Sequence, residues 1–225
     1  MKNRISLAIA TSALLLGGTL FAAQDKEVAA PAAPADEAAV IANQMPSYPL
    51  STCPLTGEAL DEGAINVVAE GRLVRVCCKR CAGKVTESPA DAIAKIDAAV
   101  IADQGRRYPL TTCPITDEAL DADAVNVVVG TKLVRVCCKK CAGAVRKDAS
   151  KAMAAVDAGW IEAGKKDYKV DVCPVSGEKL GSMGDPIDYL YGTRLVRLCC
   201  KGCLKSMRKD GAAVVAKLDK LASTR

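Results

Sequence analysis

The 225-residue chain carries 31 Lys and Arg against 26 Asp and Glu, a net charge of +5, has no histidine and is 3% aromatic, yet contains 12 cysteines. So small a charge excess argues against a nucleic-acid-binding protein, and the lack of histidine, or of a carboxylate pair or serine in a catalytic setting, predicts that it is not an enzyme. Small modules this poor in aromatic bulk are marginal on burial alone, so cysteine is expected to cross-link them, through metal or disulfides.

In chain order, Lys2 and Arg4 precede an uncharged apolar run from Ile5 to Ala23, the layout of a secretory signal peptide over residues 1–23. Removing it takes those two positive charges and no acid, which lowers the net charge from +5 to +3. The predicted location is periplasmic or secreted, with membrane attachment only if the signal segment stays uncleaved. Residues 24–36 follow as an Ala/Pro-rich linker too poor in apolar bulk to fold.

One unit then occurs three times. CPLTGEAL at Cys53, CPITDEAL at Cys113 and CPVSGEKL at Cys173 recur at a 60-residue spacing, and LVRVCCKRC, LVRVCCKKC and LVRLCCKGC repeat the second cysteine cluster. The third copy has two more residues between its clusters. Helical segments precede each loop, with Tyr48, Tyr108 and Tyr168 in the same phase as core anchors. INVV and RLVRV around Ala69, Glu70 and Gly71 predict a hairpin, with VGT and YGT turns in the other copies.

Past the second cluster, Ser88, Pro89 and Asp91 predict a capped helix with Ile93, Ile96, Val100 and Ile101 on one face. Met153, Val156, Trp160 and Ile161 repeat that face, and Asp210 caps a last helix over Val215, Leu218 and Leu221. The predicted fold class is α+β: three tandem small treble-clef-like units (cysteine loop, β-hairpin, short cysteine-bearing turn, α-helix) linked by helices. Their spans are 37–96, 97–156 and 157–225.

Every cysteine falls in these units, so the candidate metal ligands are Cys53, Cys77, Cys78 and Cys81, then Cys113, Cys137, Cys138 and Cys141, then Cys173, Cys199, Cys200 and Cys203. Cys78 and Cys81 bite from a tight turn, Cys77 and Cys81 lie one helical turn apart, and the hairpin brings Cys53 towards them. Four sulfurs suit tetrahedral zinc and fewer suit Cu(I), while calcium and magnesium are excluded by ligand softness. Arg72, Arg75, Lys79, Arg80 and Lys84 around the first cluster would favour thiolates, as would Arg135, Lys139 and Lys140, and Arg194, Arg197 and Lys201, in the others.

An oxidising compartment makes disulfides the alternative, with Cys53 paired to one of the adjacent cysteines and Cys81 to the other, in an envelope or secreted interaction module without metal. Thiol-disulfide exchange through Cys78-Lys79-Arg80-Cys81 is a third reading, without a thioredoxin-like βαβ pattern behind it. The partner called for is a metal ion. The variable turns VAEGR, VVGTK and YLYGTR could meet a protein partner of unknown identity.

The loop, the glycine-bearing hairpin and the pairs Cys77/Cys81, Cys137/Cys141 and Cys199/Cys203 resemble the TRASH and YHS family of small heavy-metal-binding domains. The resemblance covers nearly all of residues 46–225 as three copies, and implies a treble-clef-like fold and a role in metal trafficking, resistance or sensing. The chain differs from that pattern at Thr56, Thr116 and Ser176, where the family usually has its loop cysteine, and in the additional Cys78, Cys138 and Cys200. Those additional cysteines could restore the fourth ligand.

Overall fold

The computed structural model describes residues 36–223; the expected signal segment and nearly all of the linker lie outside them. The fold is α+β, seven α-helices and three separate two-stranded antiparallel sheets among the described residues. Helix α1 (Glu37–Gln44) is followed by β1 (Ile65–Ala69), β2 (Arg72–Val76), α2 (Lys79–Glu87) and α3 (Ala90–Gln104). The same order returns as β3 (Val125–Val129), β4 (Lys132–Val136), α4 (Lys139–Lys147) and α5 (Ser150–Lys166), and again as β5 (Ile187–Tyr191), β6 (Arg194–Leu198), α6 (Lys201–Lys209) and α7 (Gly211–Ser223).

The hairpins form where β-branched runs flank two residues able to turn tightly. Glu70 and Gly71 both adopt positive φ, the pattern of a type I′ turn, whereas in the other two turns only the first residue, Gly130 or Gly192, does so. Register is the same in all three: Val67 faces Val74, Val127 faces Val134 and Tyr189 faces Val196. Ala69, expected in the turn, ends β1 instead.

Adjacent Leu and Val in β2, β4 and β6 are both buried, which strict alternation would not give. The reason is that the second face is covered too, by helix α1 at the first hairpin and by the preceding unit at the other two. Val74 and Val76 enter the first core with Val85, Ala92, Ile96 and Val100, and Leu133 of the second hairpin packs into that same core from the other side. Val134 and Val136 enter the second core, where Leu190 of the third hairpin is packed in turn. The second and third hairpins thus each lie between their own core and the preceding one, so the units stack into a continuous array.

Each long helix is tied to the hairpin before it. Arg72 of β2 is ion-paired with Asp97 on α3, Lys132 of β4 with Asp157 on α5, and Arg194 of β6 with Asp219 on α7. The far end of α3 serves the next hairpin: Gln104 is 1% exposed, donates through Nε2 to Thr131 O at 2.8 Å and accepts from Leu133 N at 2.8 Å through Oε1. Gln44 makes the same two bonds to Gly71 O and Leu73 N. In the third unit the equivalent position is Gly164, where an added Cβ would sit 2.7 Å from Leu195 Cβ; helix and strand meet there without a spacer.

Three local expectations are revised. The cysteine-bearing turn is a nine-residue helix, because Cys81 and Val85 lie four apart and bury one face of α2. Ser88 caps no side-chain bond of α3; its N–H closes the end of α2 on Lys84 O at 2.9 Å, and Pro89 occupies the cap position. The buried face of α3 runs through Ala92, Ile96, Val100 and Gln104, with Ile93 and Ile101 at its margin. Asp210 does cap α7, accepting from Ala213 N at 3.0 Å. The tyrosine anchors bond the open edge of each hairpin: Arg75 N donates to Tyr48 Oη at 3.0 Å, Arg135 N to Tyr108 at 3.0 Å and Arg197 N to Tyr168 at 3.1 Å.

Candidate metal centres

Each loop cysteine sits at the start of a backbone knuckle. Cys53 N donates to Glu58 O at 2.7 Å, Gly57 N donates to Cys53 O at 2.8 Å, and Leu60 N donates to Ser51 O at 2.9 Å. The turn needs a residue at positive φ, supplied by Gly57 and Gly177 at +79° and, in the second unit, by Asp117 at +63°. This closure faces Cys53 towards the end of β2, where Cys77 follows the strand and Cys78, still extended, caps α2. Cys81 comes one turn into the helix.

In this way the sulfurs of Cys53, Cys77 and Cys81 all lie within 4.8 Å of one another, as do those of Cys113, Cys137 and Cys141, and of Cys173, Cys199 and Cys203. Cys77 and Cys81 Sγ are 3.9 Å apart, Cys137 and Cys141 3.8 Å, and Cys199 and Cys203 3.7 Å. None of the 12 cysteines forms a disulfide. These separations are far above the roughly 2.05 Å of an S–S bond. They match the edge of about 3.8 Å expected for a tetrahedron of sulfurs around zinc at about 2.3 Å. Donor type and spacing therefore both fit a thiolate-bound ion.

No described helix is long and apolar enough to cross a membrane. Comparison with protein-family models, curated proteins and solved structures found no match. The site is thus read from its own geometry.

Its electrostatics divide the labour among the thiols. Burial pushes the Cys53 thiol up, but the Thr56 hydroxyl and the N–H groups of Cys77, Leu55 and Thr56 outweigh it and bring it down to about 6. Cys113 is likewise held at about 6 and Cys173 at about 7 by equivalent groups acting against burial. One thiolate per site is therefore ready at neutral pH. The Glu58 carboxylate pushes the Cys77 thiol well up, and Glu118 does the same to Cys137. Burial and the neighbouring thiols raise Cys81 and Cys141, and push Cys203 up to about 12. A thiolate already in place disfavours a second until a cation arrives.

The sequence-predicted residues separate in the structure. Nine of them form the three triads, and Cys78, Cys138 and Cys200 stand beside these. Cys78 and Cys138 are exposed at their helix starts, where the N–H of Cys81 or Cys141 lowers the thiol below its ordinary value. Of the basic residues expected to stabilise thiolates at the first cluster, Arg72 pairs with Asp97, and the Arg75 guanidinium lies 6.0 Å from the Tyr48 ring centroid. Backbone N–H groups and the loop hydroxyl take over that role. Thr56, Thr116 and Ser176, read from sequence only as departures, lie 3.5, 3.4 and 3.3 Å from the second sulfur of their sites. Their recurrence three residues after the loop cysteine was the available signal.

Proposed function

We propose that this protein is an exported metal-binding protein with one thiolate-bound ion, zinc or Cu(I), in each of three tandem modules, serving heavy-metal trafficking or sequestration. The observation that carries the reading is the threefold recurrence of a sulfur triad at ligand spacing, built each time from a knuckle, a strand end and a helix start. Soft and borderline cations are the class such donors select. A knuckle cysteine facing a strand-to-helix cysteine pair also supports the treble-clef-like reading and the likeness to TRASH and YHS domains. Export rests on the charge and apolar pattern of residues 1–23. With no histidine in the chain, we read the sites as binding centres rather than catalytic ones.

The test is metal content together with a thiol count on protein purified without added metal. Three ions per chain, with thiols reactive only after a chelator, is the expected result. A metal-free chain with no titratable thiols would establish a disulfide framework and sink the reading.

A further inference from the structure

In a stack of repeats each unit touches its nearest neighbours, and Leu133 and Leu190 make contacts of that kind. Another contact breaks the rule. The short turn Met45–Ser47, directly after α1 in the first unit, lies against the hairpin turn of the third: an added Cβ at Gly192 would sit 2.8 Å from Pro46 O and 3.0 Å from Ser47 Cβ. The same few residues hold the other two hairpin turns. Gln44 Nε2 donates to Gly71 O at 2.8 Å, Thr131 Oγ1 donates to Gln44 O at 2.9 Å, and the hydroxyl oxygens of Ser47 and Thr131 are 2.7 Å apart. Residues 44–47 thus clasp all three turns.

The turn sequences fit this contact. Glu70, Gly130 and Gly192 hold equivalent positions, with φ of 51°, 60° and 65°. The first copy shows that this backbone conformation tolerates a side chain, so clearance is what separates the other two. A Cβ at Gly130 would meet the Gln44 side chain at 3.2 Å, and one at Gly192 would run into the Pro46 carbonyl. Beside that contact lies a cavity of about 850 Å³, lined by Ile41 and Met45 of the first unit and by Tyr191 and Met207 of the third. Little packing backs the contact, and one substitution can break it.

Each clasped turn is the far end of a hairpin whose open end carries a candidate site, since Cys77, Cys137 and Cys199 directly follow Val76, Val136 and Leu198, the last paired residues. We infer that the clasp makes metal loading cooperative across the three sites and couples the first to the third directly. This rests on the metal-binding reading above and adds a regulation to it. In units with so small a core, the free energy of metal binding is largely free energy of folding. An ion that orders one hairpin therefore orders the clasp, the clasp favours the ordered form of the other two, and by linkage the effect is reciprocal. The chain takes up and gives up its ions as a set.

The experiment is native mass spectrometry of the reduced, metal-free mature chain mixed with 1.5 equivalents of zinc. Independent sites, half filled, would place about three quarters of the molecules or more in one- and two-ion states; the clasp predicts under about a third, with metal-free and three-ion chains dominant. Asparagine is among the residues that adopt positive φ most readily, so Gly192→Asn tests clearance rather than the turn. It should still bind three ions at saturation and at least double the one- and two-ion fraction. Gly71→Asn, at φ +71° with nothing within 4 Å of an added Cβ, should leave the wild-type distribution unchanged. One- and two-ion states at three quarters or more in the wild type, no change in Gly192→Asn, or an equal change in Gly71→Asn would overturn the clasp and leave metal binding intact. A wild-type chain that binds no zinc would overturn both.

Discussion

Asp117 occupies a position where its two counterparts are Gly57 and Gly177, and all three have positive φ. At Gly57 an added Cβ would meet nothing within 4 Å, so substitution there tests backbone conformation alone. Gly57→Ala should destabilise the fold by about 1–2 kcal/mol, the usual cost of a left-handed residue with a Cβ, read from urea unfolding at unchanged slope. The thiols at this scale also predict reactivity. In metal-free protein, Cys78 and Cys138 combine exposure with a lowered thiol value and should be the first alkylated by iodoacetamide, whereas Cys53, though lowered, is buried. Peptide mass mapping at short times checks the order; equal labelling of Cys53 would contradict it.

At the level of elements, the joint between a linking helix and the next hairpin depends on one amide. Gln104→Ala strands Thr131 O and Leu133 N in a buried place and should cost roughly 2–4 kcal/mol, while Gln44→Ala, whose bonds are nearer solvent, should cost about 1 kcal/mol. Thermal melts of the two variants side by side decide it, and equal losses would refute the assignment of Gln104 as a joint. The apolar periodicity of α3 located its core face through Ile96 and Val100 but gave no reason to place a glutamine inside. That residue is buried only because its amide matches a donor and an acceptor on a hairpin about 27 residues away in the chain. Likewise KLVRV reads locally as a hairpin strand only, since nothing local reveals that the first unit's core covers its leucine, Leu133.

Across the whole molecule, stacked cores should make the units unfold together rather than singly. Cys113→Ser, at the middle site, is expected to lower the melting temperature of the entire array, since Leu133 and Leu190 tie the second hairpin to the first core and the third hairpin to the second. Hydrogen exchange checks this: protection should fall in β2 and β6 as well as in β4. Metal binding should also release protons. With Cys53 and Cys113 at about 6 and Cys173 at about 7, one thiol per site is already ionised above that range, while the raised cysteines must lose protons to the ion. Affinity should therefore rise with pH and weaken steeply as pH falls through about 6, where the loop thiolate itself is protonated. Calorimetry in buffers of different ionisation enthalpy would show about two protons released per ion near pH 8; no release would mean the thiols were not the ligands.

The sequence by itself determined the number of units, their order of loop, hairpin and helix, and which cysteines recur, because repeats, β-branched runs around a turn and apolar helical spacing are local signals. Tertiary structure decided the rest. Which three sulfurs meet depends on the knuckle closing onto a strand end 24 residues later in the first unit, between Cys53 and Cys77. That Cys78 and Cys138 are exposed while Cys200 is half-buried is likewise decided by tertiary packing at the helix starts. The second and third hairpins are covered on the other face because the preceding unit supplies that cover, a contact encoded by no single repeat.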